Sequence, residues 1–547
     1  MPHRTTEGTV PWPADLARRY VARGYWEGRS LLSYVRAAAE ADPAAVCVVD
    51  GEVRLTYADL LARVDGAAGR LHARGLRPDD RVLIQLPNCW QFFVVVLACL
   101  RAGAVPVLML QGHRRQEVSQ VATHAEARAI VTTGTVKDFD FQALAHEVAR
   151  DSATLEHVLV LADRLYPGSL DLTALCRPAD GPAPRFPEPD ATAVALFVCS
   201  GGTTGAPKLI ARTHDDFAYM VRRAAEICGV GPGTAYLTAL PLGHGFPFTG
   251  ALGALFRGGR VVVSASPAPE RVFPLIEAER VTMTSLVPAI AQRWLDHRAT
   301  DPDRDLSSLA LVQVSGSRIP DEMARRMGPV LGCLLQNGYG MGEGLMCLTR
   351  PGDPADVVCG TQGRPICPDD ELLLVDEQGA PVAAGEPGIL RTRGPYTPRG
   401  YYRAPEANAR SFTPDGWYDT GDIVRLRPDG NLVVAGRQKD VINRGGEKIS
   451  AEEIENFAYQ CGAALAAAVS MPDPELGERI CLYVVGGEFD LAGLRETMRR
   501  AGVATFKLPE RLERTGSLPF TALGKIDKAA LRADIAGRLA ADPIPAV

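Results

Sequence analysis

The sequence lacks the signatures of several common protein classes. Its 12 cysteines include no Cys-x-x-Cys pair, and its 9 histidines form no cluster at metal-ligand spacing. We therefore expect buried, reduced thiols in a cytoplasmic protein. Basic residues are not in excess, because the formal net charge is −6. This balance favours neither a nucleic-acid partner nor a membrane partner.

Targeting and membrane-spanning patterns are missing as well. Residues 1–8 are polar and do not contain the apolar core of a signal peptide. The most apolar early stretch, 91–110, is interrupted by Arg101, Gly103 and Pro106. A core helix followed by a strand explains this stretch better than a membrane span. No internal repeat or low-complexity tract is visible.

What the chain does have is the length and composition of an enzyme with more than one domain. It contains 547 residues, of which 46% are hydrophobic and 23% are charged. In the first part, helical spacing alternates with strand-like runs, which predicts layered α/β structure around a substantially parallel sheet. We place helices at 57–74 and 91–100, and strands at 81–86, 105–110 and 129–132.

The later segments change in character along the chain. Residues 167–189, rich in Pro, Asp and Ala, indicate a surface connection. Strand-like runs that end in polar or glycine-containing loops lie at 193–199, 237–240, 261–263 and 309–314. Beyond Pro365, shorter strands between Gly and Pro turns predict an antiparallel, partly barrel-like region, with strands at 371–375, 388–393 and 431–435. The last hundred residues predict a β-α-β succession with helices, over 449–460, 464–471, 479–485 and 491–501.

These patterns together predict an α/β fold with a boundary at residues 436–440. The N-terminal domain, 1–436, combines layered α/β subdomains with the barrel-like part. The smaller C-terminal domain, 437–547, is of the α+β class.

A glycine-rich loop follows the strand-like run at 193–199. It reads Ser-Gly-Gly-Thr-Thr-Gly-Ala-Pro-Lys from Ser200 to Lys208. Successive glycines let backbone N–H groups converge on phosphate oxygens, and the hydroxyls add further donors. The loop is not a Walker A motif, because Lys208 is preceded by Pro207 and followed by Leu209. The alternative is a flexible turn with no ligand.

Five motifs in order resemble those of the adenylate-forming enzymes, which include acyl-CoA synthetases, non-ribosomal peptide adenylation domains and luciferases. They are the loop at 200–208, a Tyr-Gly-x-x-Glu motif at 339–343, a ribose-binding motif at 417–422, a hinge at 436–440 and a terminal lysine motif at 524–527. The resemblance covers the chain from about residue 30 to 535. Two longer strings, at 208–216 and 442–453, resemble more narrowly the stand-alone aryl-acid AMP ligases that activate 2,3-dihydroxybenzoate or salicylate for siderophores.

This resemblance implies an enzyme that joins a carboxylate to the α-phosphorus of ATP and then passes the acyl group to a thiol. A carboxylate with a pKa of about 4 is already ionised, so positioning and charge neutralisation matter more than a base. The resemblance implies catalytic roles for Lys208, His244 and Lys525, and a Mg²⁺ contact at Glu343. The implied nucleotide-binding residues are Ser200, Gly201, Gly202, Thr203, Thr204, Gly205, Gly316, Tyr339, Gly340, Met341, Asp422 and Arg437.

The second half-reaction implies a mobile C-terminal domain. In the family this domain rotates between the two steps, and the hinge position matches Lys439. Gly445 and Gly446 would then line the path of a pantetheine arm. The acceptor is either coenzyme A or the phosphopantetheine of an aryl carrier protein supplied in trans, because no carrier-like motif follows Val547.

The segment 241–250 departs from the aryl-ligase pattern His-Asn-Tyr-Pro. His244 is retained and Phe246 stays aromatic, but Gly245 replaces the Asn that bonds a ring hydroxyl. Gly250 stands where the siderophore enzymes commonly carry Ser. Farther along the chain, Gly338 stands where a Val-like residue is common.

These three glycines predict a larger acyl pocket. We expect a bulky, bicyclic aryl acid, such as a naphthoic or quinoline carboxylic acid, in natural-product biosynthesis. The alternative is that neighbours such as Phe248 or Met346 refill the space. Other candidate functions are a siderophore aryl-acid ligase, a medium-chain acyl-CoA synthetase, and a nucleotide-binding protein without catalysis. The retained charged motif residues argue against the last.

Overall fold

The computed structural model describes residues 5–179, 181, 185–200, 207–444, 447–474, 476–521 and 524–541. Two large sheets, both mainly parallel, dominate the part before residue 365. The helices that connect parallel strands cover them, as the alternating pattern predicts. The sequence-based prediction of a layered α/β fold is therefore confirmed.

The first large sheet has nine strands within the described residues and an antiparallel strand at each end. Its central strands are short and buried on both faces, which is typical of parallel sheets. In spatial order the strands are Arg364–Pro365, Gly344–Leu348, Leu334–Met341, Leu311–Val314, Met283–Leu286, Ala235–Thr238, Arg260–Val263, Val46–Asp50 and Val53–Thr56.

The second large sheet has seven strands in the described part of the chain, all parallel except for one edge pair. In spatial order they are Leu209–Thr213, Val194–Cys199, Val105–Leu108, Arg81–Ile84, Ala129–Thr133, His157–Leu161 and Ser169–Asp171. A separate two-stranded ribbon consists of Thr135–Val136 and Phe139–Asp140.

Two smaller sheets follow. The first is a four-stranded antiparallel sheet of Glu371–Val375, Gly388–Arg393, Tyr418–Leu426 and Leu432–Arg437, in the region predicted to be antiparallel. The second is a sheet of Glu447–Ile449, Ile442–Arg444, Gly477–Val485, Leu465–Asp473 and Arg511–Arg514. Two hydrophobic clusters of this last region draw only on residues beyond Arg437.

Several helices begin at residues suited to capping. Thr56 and Thr213 each form a capping box with the Asp three residues on. The α-helices are Thr5–Gly8, Ala14–Ala22, Leu31–Ala41, Tyr57–Ala73, Trp90–Ala102, Arg115–Ala125, Phe141–Asp151, Leu172–Leu175, His214–Ile227, Gly245–Phe256, Pro269–Glu279, Pro288–Arg298, Asp321–Leu331, Ala355–Gly360, Pro405–Ser411, Ala451–Gln460, Leu491–Arg500 and Lys528–Ala541, and the 3₁₀ turns are Gln438–Asp440 and Thr505–Lys507.

Two segments differ from the sequence-based expectation. Residues 167–189 are not simply a surface connection, because Ser169–Asp171 pairs with His157–Leu161 and the next helix buries Leu172 and Leu175. In the last hundred residues, helices occupy only the first and last of the four predicted segments. The middle two are the antiparallel strands Leu465–Asp473 and Gly477–Val485, whose buried Ala, Val and Ile residues pack on helices.

The interior agrees with the expectation for the thiols. All twelve cysteines are free, eight of them are buried and the other four are partly exposed. Burial raises the pKa of Cys99 to about 12, so that thiol stays protonated. No helix in the described part of the chain combines the length and apolarity needed to cross a bilayer.

Candidate active site

Part of the candidate site lies where parallel strands of the nine-stranded sheet end. In open α/β sheets, ligands bind at the carboxyl edge of the strands. His244 follows the strand Ala235–Thr238, and Gly316 follows Leu311–Val314. Gly316 has φ +93°, and a Cβ atom there would lie 3.2 Å from Val287 Cγ1, so this turn requires glycine.

His244 caps the helix Gly245–Phe256. Its Nδ1 accepts a hydrogen bond of 3.2 Å from the backbone N–H of Phe246. Burial and the nearby Lys525 ammonium lower the pKa of His244 to about 4. The ring is therefore neutral near pH 7, and because Nδ1 is an acceptor, Nε2 carries the proton. His244 thus offers one neutral N–H donor, which suits a carboxylate or its acyl oxygen.

Lys525 reaches this site from the C-terminal part of the chain. The backbone at Gly524 has φ +73°, and a Cβ atom there would lie 3.8 Å from Val287 Cγ2, so the loop lies near the residue that follows the strand Met283–Leu286. Burial lowers the pKa of Lys525 to about 8, helped by the charge of Arg437 and opposed by Asp422 and Glu343. The ammonium therefore sits in a desolvated position among the residues predicted for ATP.

Asp422 lies at the centre of one half of the predicted nucleotide site. It is only 4% exposed, and its two carboxylate oxygens accept bonds of 2.7 Å from Tyr339 Oη and 2.6 Å from Arg437 Nε. The Thr420 hydroxyl accepts a hydrogen bond from the backbone N–H of Asp422 at 3.0 Å. These contacts hold the carboxyl group in a fixed orientation, which suits hydrogen bonds from ribose hydroxyls.

Glu343 and Lys208 form the other half, and Tyr401 joins them. The Tyr401 hydroxyl donates to Glu343 Oε1 at 2.8 Å, and Lys208 Nζ lies 4.9 Å from the centre of the Tyr401 ring. The backbone N–H of Lys208 donates to Ser200 Oγ at 3.0 Å, which joins the two ends of the glycine-rich loop. Tyr401 was not predicted from the sequence as a site residue. The signal that could have indicated it is its place in the run Gly400–Tyr402.

Several predicted residues cannot be placed with the others. Gly201, Gly202, Thr203, Thr204 and Gly205 lie outside the described residues, as do Gly445 and Gly446. Gly340 and Met341 lie on the strand Leu334–Met341, on the same strand as Tyr339. The structure therefore brings together Lys208, His244, Tyr339, Glu343, Asp422, Arg437 and Lys525.

The three pocket glycines do not share one environment. A Cβ atom at Gly250 would lie 2.5 Å from Tyr236 Cζ, so the expected room there is already filled, because the ring of Tyr236 occupies it. At Gly338 a Cβ atom would lie 3.0 Å from Leu348 Cδ2 and 3.3 Å from the Cys347 carbonyl oxygen. The enlarged-pocket expectation is therefore wrong at Gly250, with Tyr236 rather than Phe248 or Met346 filling the space.

Gly245 is different from the other two. The nearest atom to a Cβ built there is Val198 Cγ1, at 3.8 Å, so this position has room for a side chain. The missing Asn side chain therefore leaves space beside His244.

A small cavity lies between the helices His214–Ile227 and Gly245–Phe256 and the nine-stranded sheet. Its volume is about 20 Å³, and Phe246 and Gly250 of the predicted acyl pocket contribute to its wall. Gly338 is not among the described residues that line it. The cavity places the apolar end of the candidate site beneath the helix that His244 caps.

The predicted hinge residue Lys439 lies in the 3₁₀ turn Gln438–Asp440, between the four-stranded sheet and the C-terminal sheet. Two contacts join this turn, and the strand before it, to residues of the C-terminal part. Ser450 Oγ donates to the Ala435 carbonyl oxygen at 2.5 Å, and Arg532 pairs with Asp440 at 3.1 Å. These contacts accompany the arrangement in which Lys525 reaches His244.

Comparisons with known proteins agree with this geometry. The family described as AMP-binding enzyme matches residues 35–402. The chain is 58% identical over 545 residues to the 2-hydroxy-7-methoxy-5-methyl-1-naphthoate–CoA ligase of Streptomyces carzinostaticus, covering 97% of this chain and 98% of that relative. It is 52% identical over 554 residues to a salicylyl-CoA synthase/salicylate adenylyltransferase of a Streptomyces species, covering 99% and 100%.

A solved structure of the same kind is similar over nearly the whole length. The apo structure of MbtA from Mycobacterium smegmatis is 43% identical and superposes with a TM-score of 0.76, covering 97% of this chain and 99% of that one. The family match spans more than half of the chain, and these relatives are similar from end to end. The chain therefore belongs to the AMP-binding enzymes and, within that family, to the group of aryl-acid ligases.

Proposed function

We propose that this enzyme activates a two-ring aryl acid with ATP and transfers the acyl group to coenzyme A. The observation that carries the proposal is the placement of Lys525, whose loop lies near Val287 and whose charge acts on His244, Asp422 and Glu343. This arrangement gathers cationic and hydrogen-bonding groups where a carboxylate would meet the α-phosphate. Adenylation is the half-reaction that this arrangement supports.

The reaction needs charge neutralisation rather than a base. The substrate carboxylate oxygen attacks the α-phosphorus of ATP, the bond to the bridging oxygen breaks, and pyrophosphate leaves. Lys525 would stabilise the negative charge on the carboxylate and α-phosphate oxygens, and His244 Nε2–H would orient the carboxylate. Asp422 would hold the ribose hydroxyls through the oxygen atoms that Tyr339 and Arg437 already position.

A magnesium ion bound with ATP fits the donors present. No cluster of three or more His, Cys, Asp or Glu residues that could hold a metal occurs in the described part of the chain. Mg²⁺ is commonly held by one or two carboxylates with substrate phosphates and water, so a single carboxylate is enough. Glu343, which accepts a hydrogen bond from the Tyr401 hydroxyl, would supply that carboxylate. The ion would neutralise phosphate charge.

Two observations support a two-ring acid and coenzyme A. Gly245 leaves space beside His244 where the resembling one-ring ligases carry Asn. The relative at 58% identity is named for a naphthoate, and the relatives at 58% and 52% are both named for coenzyme A thioesters. The alternatives are salicylate as the acid and a carrier-protein phosphopantetheine as the thiol.

Acid-dependent ATP–pyrophosphate exchange tests this proposal directly. With 2-hydroxy-1-naphthoic acid we expect a kcat/KM about tenfold above that with salicylic acid, because burying about 60 Å² more apolar surface contributes about 1.5 kcal/mol. Adding coenzyme A should then yield the naphthoyl thioester, detected by mass spectrometry. A preference for salicylic acid would reject the two-ring substrate, and transfer only to a carrier protein would reject the acceptor.

Gly245→Asn sharpens the test. The new side chain has room beside Val198 and would fill the space proposed for the second ring, so preference should move toward salicylic acid by about tenfold. Gly231→Asn is the matched control, because a Cβ atom at Gly231 has no neighbour within 4 Å. If Gly245→Asn leaves the ratio of the two acids unchanged, this glycine does not set the ring preference.

A further inference from the structure

The cavity between the helices His214–Ile227 and Gly245–Phe256 lies at the end of the acyl site remote from the chemistry. Its wall includes Phe246, Gly250 and Met346. Neither His244 nor Lys525 is among the described residues that line it. An acid whose carboxylate meets those two residues would therefore turn its far edge toward this cavity.

The size of the cavity limits what it can hold. A cavity that holds one water molecule needs roughly 10–15 Å³. The cavity measures about 20 Å³, which is room for one or two non-hydrogen atoms but not for a ring. Its narrowness follows from the side chains around it, since Ala224 and Ala225 approach from one helix and Met283 approaches from the sheet.

The polar side chains in the wall, Cys228, Gln313 and Thr249, already have hydrogen-bond partners within the protein. Cys228 Sγ donates to Gln336 Oε1 at 3.1 Å, and Gln313 Nε2 donates to the same oxygen at 2.7 Å. Gln313 Oε1 accepts from Ser285 Oγ at 2.9 Å, and Ser285 in turn accepts from the Tyr236 hydroxyl at 2.9 Å. The donors of this chain are thus committed to protein acceptors, and the other wall atoms are largely apolar.

We propose that this cavity is a subsite for one small apolar substituent, a methyl or a methoxy group, on the ring remote from the carboxylate. The proposal rests on the two-ring substrate proposed above. Cys228 sets the limit on the substituent, because its thiol stands in the cavity wall and a longer side chain there would fill the space. A hydroxyl in place of the methoxy group would bring a donor into a mainly apolar wall, and burying that donor costs free energy.

The experiment measures kcat/KM by pyrophosphate exchange for 2-hydroxy-1-naphthoic acid and its 5-methyl, 7-methoxy and 7-hydroxy derivatives. Relative to the unsubstituted acid, kcat/KM should rise about fourfold if the methyl group is the one that reaches the cavity. It should rise about tenfold if the methoxy group is the one that reaches it. The hydroxy derivative should show no gain. In Cys228→Leu the gain should disappear while the unsubstituted acid keeps its kcat/KM within about twofold.

Two further variants keep the test decisive. Cys359→Leu makes the same change at a partly exposed cysteine that does not line the cavity, and it should retain the native gain. Cys228→Ala enlarges the cavity, so a 7-ethoxy derivative should improve relative to the 7-methoxy derivative. This second variant also serves if Cys228→Leu does not fold.

The outcomes separate the two proposals. A native enzyme that prefers salicylic acid to every naphthoic acid overturns the two-ring substrate and the subsite together. A two-ring preference with equal values for all four naphthoic acids overturns the subsite alone. The subsite is also overturned if Cys228→Leu and Cys228→Ala both keep the native ratios.

Discussion

Lys525 shows how surroundings adapt a common side chain to its task. Lys525, Arg437 and Lys439 are cationic groups that act on one another's charge, and burial adds a desolvation cost for each of them. The pKa of Lys525 falls to about 8, because burial and Arg437 outweigh Asp422 and Glu343. A desolvated ammonium interacts strongly with an anion, since less water screens the pair.

Lys525→Ala should reduce acid-dependent pyrophosphate exchange by about 100- to 1,000-fold, the usual effect of removing a group that stabilises developing charge. Thioester formation from a supplied acyl-adenylate should be nearly unchanged, because the carboxylate and α-phosphate are already joined. Both half-reactions are measured on the same preparation. Equal losses in the two assays would contradict the role assigned to Lys525.

The pH profile provides a second check at this residue. Because the active form is protonated and the pKa is about 8, kcat/KM for adenylation should fall as pH rises through about 8. Lys525→Arg keeps its charge above pH 8, so its residual exchange activity should lack that fall. A native profile that stays flat to about pH 10 would show that the ionisation of Lys525 does not control this step.

At the scale of the element, the helix Gly245–Phe256 connects the chemistry to the acyl pocket. His244 caps its first turn, and Gly250 lies one and a half turns later against Tyr236. The glycine therefore leaves room for the ring of a tyrosine from the sheet below. Tyr236 begins the hydrogen-bonded chain through Ser285 to Gln313.

Gly250→Ala should destabilise the protein by about 1–3 kcal/mol, the cost of overpacking a filled site. A new Cβ would lie 2.5 Å from the rigid ring of Tyr236, which cannot yield without moving the sheet or the helix. Gly245→Ala on the same helix is the control, since its Cβ has no neighbour closer than 3.8 Å. Thermal unfolding midpoints compare them, and equal midpoints would mean that Tyr236 relocates freely.

At the scale of the whole molecule, adenylation and thiol transfer need different arrangements of the C-terminal part. The present arrangement brings Lys525 to His244 and pairs Arg532 with Asp440 beside the turn Gln438–Asp440. Thiol transfer requires access to the adenylate from another direction. A domain boundary at 436–437 and rotation about Lys439 remain proposals that this arrangement makes testable.

Lys439→Pro tests the rotation, because proline fixes φ near −65° and restricts the residue before it. Thioester formation should fall by about tenfold or more, the effect of a barrier raised by about 1.4 kcal/mol, while pyrophosphate exchange should be affected less. Lys439→Ala removes the charge but leaves the backbone free, so it serves as the control. Normal rates for both half-reactions in Lys439→Pro would exclude a hinge at this residue.

The sequence by itself determined the reaction class, because the chemistry resides in short local motifs. A string such as 339–343 or 417–422 contains the required side chains at fixed spacing, whatever the rest of the chain does. The alternation of helices and strands likewise follows from local periodicity, so the layered α/β fold was predictable. The two adjacent strands near residues 465–485 were harder to predict, since the spacing of their apolar residues does not exclude helices.

Only the tertiary structure decided how the pocket is filled. Tyr236 and Gly250 are neighbours in space because a strand and a helix pack together, and no local pattern indicates which ring occupies a missing side chain's place. Tyr401 contacts Glu343, which lies 58 residues earlier in the chain, and Lys208, which lies much earlier still. Such contacts depend on packing between distant segments, which residue spacing along the chain does not encode.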